Sequence, residues 1–354
     1  RITIKISTGV YKMGMNRKRP VTRADIAKAA AVSETIVSYV INGNRYVNSA
    51  KRQRVLDAIE TMKYKPNHFA RALKGKKSNH ILFIADDIEG DYFGKLIREI
   101  DSIAYRSGYF VTLCADHDDD DFVQRIYSHF FDGIIIGSAK FPLQNIQRLV
   151  DAGLPLVLLE IRDYSKVNGV YGLINTGLYQ GARECVKYLY DHGRKHLLYI
   201  DRIDEKGGAS AIDDWRLKGF IDQLREIDLT LTDDNIITGC SSEQAIIESV
   251  RKIFSQSHFV PDGIVGRNDY SACIAMKAVK TIGLSVPNDV AIVGFDNSRL
   301  ARFSSPALTS MEIRQKEIGT IIMDMLNSLI DERASFTGRI EQYLETKLVV
   351  REST

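Results

Sequence analysis

The chain has 354 residues, 44% of them hydrophobic and 26% charged, which gives room for two or three domains around a large core. No apolar run reaches transmembrane length. Cys114, Cys185, Cys240 and Cys273 lie far apart with no CxxC pair, which argues against disulfides or a cysteine metal site and fits a reducing cytoplasm. Net charge is only +3, but it is unevenly spread: residues 1–78 carry 18 Lys/Arg against 4 Asp/Glu, net +14, and the rest 30 against 41, net −11. A basic head on an acidic body suits a head that neutralises phosphates and a body that avoids them.

The first twenty residues, RITIKISTGVYKMGMNRKRP, lack the apolar core of a signal peptide. Residues 1–19 read as a disordered leader upstream of the natural start, with Met15 the preferred initiator. Residues 20–44, PVTRADIAKAAAVSETIVSYVINGN, then read as two short helices joined by a tight turn. Thr22 is placed to cap the first, with Asp25 three residues on completing a capping box. Ile26, Ala27 and Ala30 keep one apolar stripe. Ser33 caps the second helix, whose inner face is Ile36, Val37 and Val40. Glu34, Thr35, Ser38 and Tyr39 are left outward at the spacing that lines one helix face, a set suited to reading base edges in a major groove.

A third helix is expected over about Ser49 to Met62, with Val55, Ile59 and Met62 inward and Lys51, Arg52 and Arg54 on a basic outer face. Pro66 and Asn67 start a further short helix through Lys74, too short to be stable in isolation, and KGKKSN (74–79) follows as a polar linker.

These stretches resemble the head of LacI/GalR-family transcription regulators. The match runs through V-S-x-x-x-V-S-x-V-I-N at Val32 to Asn42, V-N-S-A-K-R-Q-R-V-L-D-A-I at Val47 to Ile59, and Y-K-P-N-H-F-A-R-A-L at Tyr64 to Leu73. The resemblance implies a helix-turn-helix domain over 20–66 and a hinge helix with linker over 67–78. It implies double-stranded operator DNA as a partner, contacted by Thr22, Ser33, Glu34, Thr35, Ser38, Tyr39, Asn42, Asn48, Asn67, Ala70 and Leu73. In the family the leucine at the position of Leu73 is a wedge pushed into the minor groove.

From His80 the pattern changes to short apolar strands alternating with helices. HILFIAD (80–86), YFVTLCA (109–115), GIIIG (133–137) and PLVLLE (155–160) read as strands, with helices over 93–107, 121–130 and 142–152. VYGLIN (170–175), HLLYID (196–201), DGIVG (262–266) and VAIVGFD (290–296) form a second set, with helices over about 177–192, 211–227, 242–256 and 269–283. That alternation implies parallel sheets, and the strand count suits two doubly wound subdomains with a cleft between them. The fold class expected is therefore α/β: a small all-α helix-turn-helix head and hinge helix, then two parallel-sheet subdomains enclosing a ligand cleft.

The body also resembles the LacI/GalR effector-binding core, itself similar to periplasmic sugar-binding proteins. The matching strings include F-D-G-I-I-I (131–136), R-L-K-G-F (216–220), R-N-D-Y-S-A (267–272), V-P-N-D-V-A-I-V-G-F-D-N (286–297) and E-T-K-L-V-V-R-E-S (345–353). The resemblance implies an effector and dimerisation core over 79–354. One subdomain would span about 79–175 and 315–343, the other about 176–314 and 344–354. Positions matching the family's effector contacts are Tyr92, Phe93, Glu160, Arg216, Asn268, Asp296 and Gln315. Such a set suits a polar ligand, whose hydroxyls carboxylates, amides and an Arg can share. Asp296 ends an almost wholly apolar strand at the end where α/β folds bind ligands, and Asn268 sits at the equivalent end of Gly263–Gly266.

The family implies no cofactor and no catalysis. The expected protein is a cytoplasmic, homodimeric, effector-responsive repressor of a carbohydrate-utilisation operon that binds a palindromic operator. Its small-molecule effector would be a sugar or sugar phosphate; a purine stays open because Phe93 suits either ring. Other readings are a global regulator served by a corepressor or phosphocarrier protein, and a solute-binding protein; the basic head opposes the latter. Two departures stand out: Ala31 replaces the Gly usual between the two helices, and Tyr39 replaces a common Arg. Asp116 to Asp121 imitates a metal loop but reads better as a charged turn.

Overall fold

The computed structural model describes residues 21–43, 45–64, 77–86, 90–117, 120–211, 213–256 and 258–354, the side chains of Asn42 and Asp120 excepted. The leader over 1–19, and Asn67, Ala70 and Leu73 of the expected hinge helix, lie outside the described residues. The chain divides into two compact units, residues 1–76 and 77–354.

The described residues of the first unit form three helices: α1 (Arg23–Ala29), α2 (Glu34–Asn42) and α3 (Ser49–Thr61). Each opens on a side-chain cap that satisfies amides the helix cannot pair itself. Thr22 and Asp25 form a reciprocal capping box: the Thr22 amide donates to Asp25 at 2.8 Å and the Asp25 amide to Thr22 Oγ1 at 3.3 Å. Ser33 accepts from the amide of Ile36 at 3.4 Å, and Asn48 from that of Ala50 at 3.0 Å. Ile26, Ala27, Ala30, Val37, Val40, Val55, Ala58 and Tyr64 pack into one core. Ala31 turns the chain between α1 and α2 in the left-handed region, at φ 50°. That conformation costs a residue with a Cβ roughly 1 kcal/mol, and three packed helices supply more than that.

The second unit builds two six-stranded sheets. The first contains β1 (His80–Ala85), β2 (Phe110–Ala115), β3 (Gly133–Gly137), β4 (Leu156–Leu159), β5 (Gly172–Asn175) and β11 (Ile340–Tyr343), in the order β11-β5-β4-β3-β1-β2 and parallel throughout. The second contains β6 (Leu197–Ile200), β7 (Ile236–Ile237), β8 (Gly263–Gly266), β9 (Ala291–Phe295), β10 (Thr309–Glu312) and β12 (Lys347–Val349), ordered β12-β10-β9-β8-β6-β7. There β12 runs antiparallel to β10, a departure from the all-parallel expectation at one edge. The chain passes between sheets three times, after Asn175, Glu312 and Tyr343.

Helices cover these sheets: α4 (Asp91–Arg106), α5 (Asp120–Ser128), α6 (Leu143–Asp151), α7 (Leu178–Asp191), α8 (Trp215–Glu226), α9 (Glu243–Phe254), α10 (Asp269–Thr281), α11 (Arg299–Phe303) and α12 (Gln315–Glu332). Central strands such as Gly133–Gly137 and Ala291–Phe295 are buried along their whole length, which is why they read as unbroken apolar runs. On α4, Phe93, Leu96, Ile100 and Ala104 form the buried stripe. Where α7 crosses α8 the backbones nearly touch: a Cβ on Gly219 would sit 2.4 Å from the Tyr179 carbonyl oxygen.

Four strands and two helices escape the sequence reading: β7, β10, β11, β12, α11 and α12. The reasons differ. Thr309–Glu312 is polar yet its first three residues are buried, because Thr309 and Ser310 hydrogen-bond to Ser353, Thr354, Asp269 and Asn297. The outer strand β11 is short and largely exposed, and β12 has only three residues, so neither shows a repeating apolar pattern.

Candidate functional site

In the first unit the outer face of α2 carries the reading set. Glu34 and Thr35 are exposed in its first turn, and Ser38 and Tyr39 are half-buried one turn on. Thr22, Ser33 and Asn48 serve as helix caps, so they fix where the helix starts lie. Asn42 is the last residue of α2, its side chain outside those described. Sequence reasoning passed over Arg45, whose guanidinium stands 5.3 Å from the centre of the Tyr39 ring. This contact steadies a long cation just beyond the helix end. Lys51, Arg52 and Arg54 line an exposed basic side of α3.

The second unit holds a cavity of about 430 Å³. Of the seven residues assigned to a ligand, Tyr92, Phe93, Arg216, Asn268 and Asp296 come together in its wall. Strand ends and helix starts put them there: Tyr92 and Phe93 in the first turn of α4, Arg216 in that of α8, Asn268 as the cap of α10, and Asp296 directly after β9. Phe93 is also core, edge-on to Phe83 and Tyr92 with ring centres 5.9 and 5.0 Å away.

Glu160 and Gln315 are placed differently. Glu160 follows β4, and burial raises its pKa against a hydrogen bond from Asn175 on the neighbouring strand. Gln315 lies behind the wall: its Nε2 donates to the Asp296 carbonyl oxygen at 3.2 Å, bracing the turn.

The wall contains residues that the sequence reading did not select. Asp86, Asp91, Arg267, Asp269, Tyr270 and Ser298 all line it. Asp86 follows β1 as Asp296 follows β9, so the same strand-end rule points to it. The charges form a tight buried set. Arg267 donates to Asp214 at 2.7 Å and stands 3.5 Å from Asp201, with all three side chains at least nine-tenths buried. Burial opposes ionisation of Asp214, but Arg267 and Arg216 outweigh it and hold its carboxyl below the usual range. Arg216 lies 3.4 Å from Asp296 and 5.3 Å over the Phe295 ring. An Arg has five N–H donors, more than such contacts use.

Asp269 is the exception among these carboxyls. Burial and then the charge of Asp296 push its pKa up to about 7, against hydrogen bonds from Ser310 and Ser298. Chemically, the wall offers charged and polar hydrogen-bonding groups, and no cluster of metal-ligating side chains exists among the described residues. No helix among them is long and apolar enough to cross a membrane.

Residues 22–67 match the model of bacterial regulatory proteins of the lacI family, and residues 186–354 that of a periplasmic binding protein-like domain. The HTH-type transcriptional repressor PurR of Pasteurella multocida is 32% identical over 340 residues, 94% of this chain and 98% of its own. The ribose operon repressor of Halalkalibacterium halodurans is 30% identical over 337 residues, 94% and 97% of the two chains. Among solved structures, the Lac repressor dimer bound to operator and the anti-inducer ONPF superposes with a TM-score of 0.78 at 23% identity, over 95% of this chain and 99% of the other. A complex of the transcriptional regulator CelR with cellobiose gives 0.65 at 22% identity, over 95% and 100%. The helical head, the two-sheet core and relatives alike over nearly their whole length establish that this chain is a transcriptional repressor of the LacI family, a family of DNA-binding regulators and not of enzymes.

Proposed function

We propose that this repressor binds a palindromic operator as a homodimer in the cytoplasm and that a carbohydrate, a sugar or sugar phosphate, in the 430 Å³ cavity controls that binding. The observation that carries the effector reading is the pairing of Arg216 with Asp296 beside Asn268. A vicinal pair of hydroxyls can accept from the guanidinium while donating to the carboxylate, which a purely apolar pocket cannot offer. Two of the similar proteins favour a carbohydrate: one is named a ribose operon repressor, and CelR was solved with cellobiose.

For the DNA, Glu34, Thr35, Ser38 and Tyr39 would read base edges in the major groove while the basic side of α3 lies along phosphates. A homodimer fits a two-fold operator, and Tyr105, Phe110 and Phe303, large apolar residues that are 72%, 62% and 84% exposed, supply surface for a second copy. Ligand held between the two sheets would favour one angle between them, coupling effector to DNA.

The test is operator binding by fluorescence anisotropy, with the operator obtained by in vitro selection. Selected sequences should contain two inverted half-sites, and one sugar should change the affinity at least tenfold in the wild type but not in Asp296→Ala. Affinity indifferent to every ligand would sink the effector reading; direct, unpaired half-sites would sink the dimer.

A further inference from the structure

The cavity is only the inner part of the space between the sheets. Asp86, Arg267, Asn268 and Tyr270 line it on one side and on the other line a second chamber of about 1060 Å³. Ligand sites typically enclose roughly 300–1,000 Å³, so the inner cavity is sized for one ring and the outer chamber has room for at least one more.

The outer walls come from both halves of the core. His117 and Lys140 follow β2 and β3 of the first sheet, and Ser241, Ser242 and Gln244 come from the start of α9 over the second. Of the four cations in this lining, Lys140 is committed to Asp204 at 2.7 Å, Arg202 to Asp86 at 3.4 Å and Arg267 to Asp214 at 2.7 Å, while Lys206 is exposed at the rim. Asp116, Glu205 and Glu243 add negative charge to the same lining, which disfavours a phosphate. What the chamber offers instead is hydroxyls, two amides, an imidazole and the half-exposed Tyr270 ring, on which the apolar face of a sugar can lie.

We propose that the outer chamber is a second sugar subsite, so that the effector is an uncharged disaccharide or longer glycoside with one ring in each chamber. This rests on the reading of the inner cavity as the effector site, and it adds the ligand's length and charge. Because the outer subsite also touches both halves, the second sugar unit draws them together as the first does.

Isothermal titration of the full chain tests this with glucose, galactose, cellobiose, maltose, trehalose and lactose, and with the 6-phosphate of whichever disaccharide binds. One disaccharide should bind at least tenfold more tightly than its component monosaccharides. The double variant His117→Ala/Gln244→Ala, both exposed side chains, should remove that margin and leave monosaccharide binding unchanged. A monosaccharide or a nucleobase that binds as tightly as any disaccharide overturns the subsite, as does a double variant that weakens both classes equally. A 6-phosphate that binds as well as the free disaccharide overturns the uncharged assignment. Binding that survives Asp296→Ala, or a panel silent throughout, instead overturns the reading of the inner cavity.

Discussion

Ser310 donates a 2.5 Å hydrogen bond to Asp269, and through it a buried carboxyl at the start of α10 holds the turn on which Asp296 stands. The other Asp269 oxygen accepts from the Ser298 amide at 2.6 Å, and Ser310 Oγ accepts from the Asn297 amide at 2.9 Å. Asp296 and Asn297 both have left-handed backbones, at φ 98° and 45°. Two such residues in a row persist only where the surroundings over-determine them. Here Asp269, Ser310 and Gln315 do so, and the aim of the Asp296 carboxylate follows from it.

The raised pKa of Asp269 gives a pH dependence of known sign. A carboxyl shifted from 3.8 to about 7 by folding is protonated in the folded chain where it is ionised in the unfolded one. Its contribution to stability is therefore complete below pH 3.8 and is lost as pH rises through about 7. The slope from one such group approaches ~1.4 kcal/mol per pH unit. Asp269→Asn cannot titrate, so urea denaturation at several pH values from 4 to 8 should show a flatter fall for the variant than for the wild type. Parallel curves would remove Asp269 as the titrating group.

Arg267 should be costly to remove. Its loss leaves Asp201 and Asp214 buried without their shared cation, a defect that typically costs about 3–5 kcal/mol. Arg267→Ala should lower the denaturation midpoint accordingly, and Asp214→Asn in the same background should recover part of the loss. A variant as stable as the wild type would show that Ser210 and Thr238, which also donate to Asp201, are sufficient.

Ala31→Gly should stabilise the head. The wild-type residue sits at φ 50°, where glycine relieves roughly 1 kcal/mol of strain. Thermal unfolding followed by circular dichroism should show the first transition moved upward, with operator affinity equal or higher. A downward shift would mean that the Cβ is tolerated at this φ and that chain entropy dominates.

Tyr39→Ala should weaken operator binding twice over, by removing a reading group and by releasing Arg45 from the ring 5.3 Å beneath it. The ring–guanidinium contact contributes roughly 0.5–1 kcal/mol at an exposed site. Tyr39→Phe keeps the contact and should fall between the wild type and the alanine variant in anisotropy titrations. Equal affinities for Phe and Ala would assign the whole effect to the hydroxyl.

Much of this was legible in the chain because its signals are local. Caps such as Thr22 and Ser33 and apolar runs such as Gly133–Gly137 announce their own structure, and Asp296 marks a strand end by following one. The rest depends on partners distant in sequence. Arg267 gains its meaning from Asp201 and Asp214, 66 and 53 residues away by number. Ser310 reads as an ordinary polar residue until Asp269 and Asn297 are folded against it. Glu160 illustrates the reverse: it satisfies the strand-end rule, yet its neighbour across the sheet is Asn175 and not the cavity.

The three passages between the sheets have neighbouring ends. Asn175 and Tyr343 are register partners across β5 and β11, and Glu312 is paired with Lys347, where the third passage arrives. A single strap would let one half swivel on the other like a ball on a cord. Three straps side by side resist twisting and sliding and leave bending as the soft mode, like the leaves of a book on a sewn spine. Whatever fills the gap between the pages can then be felt elsewhere as one angle. Cutting one strap, by a protease site placed near 345, should loosen the reply to ligand well before it abolishes binding.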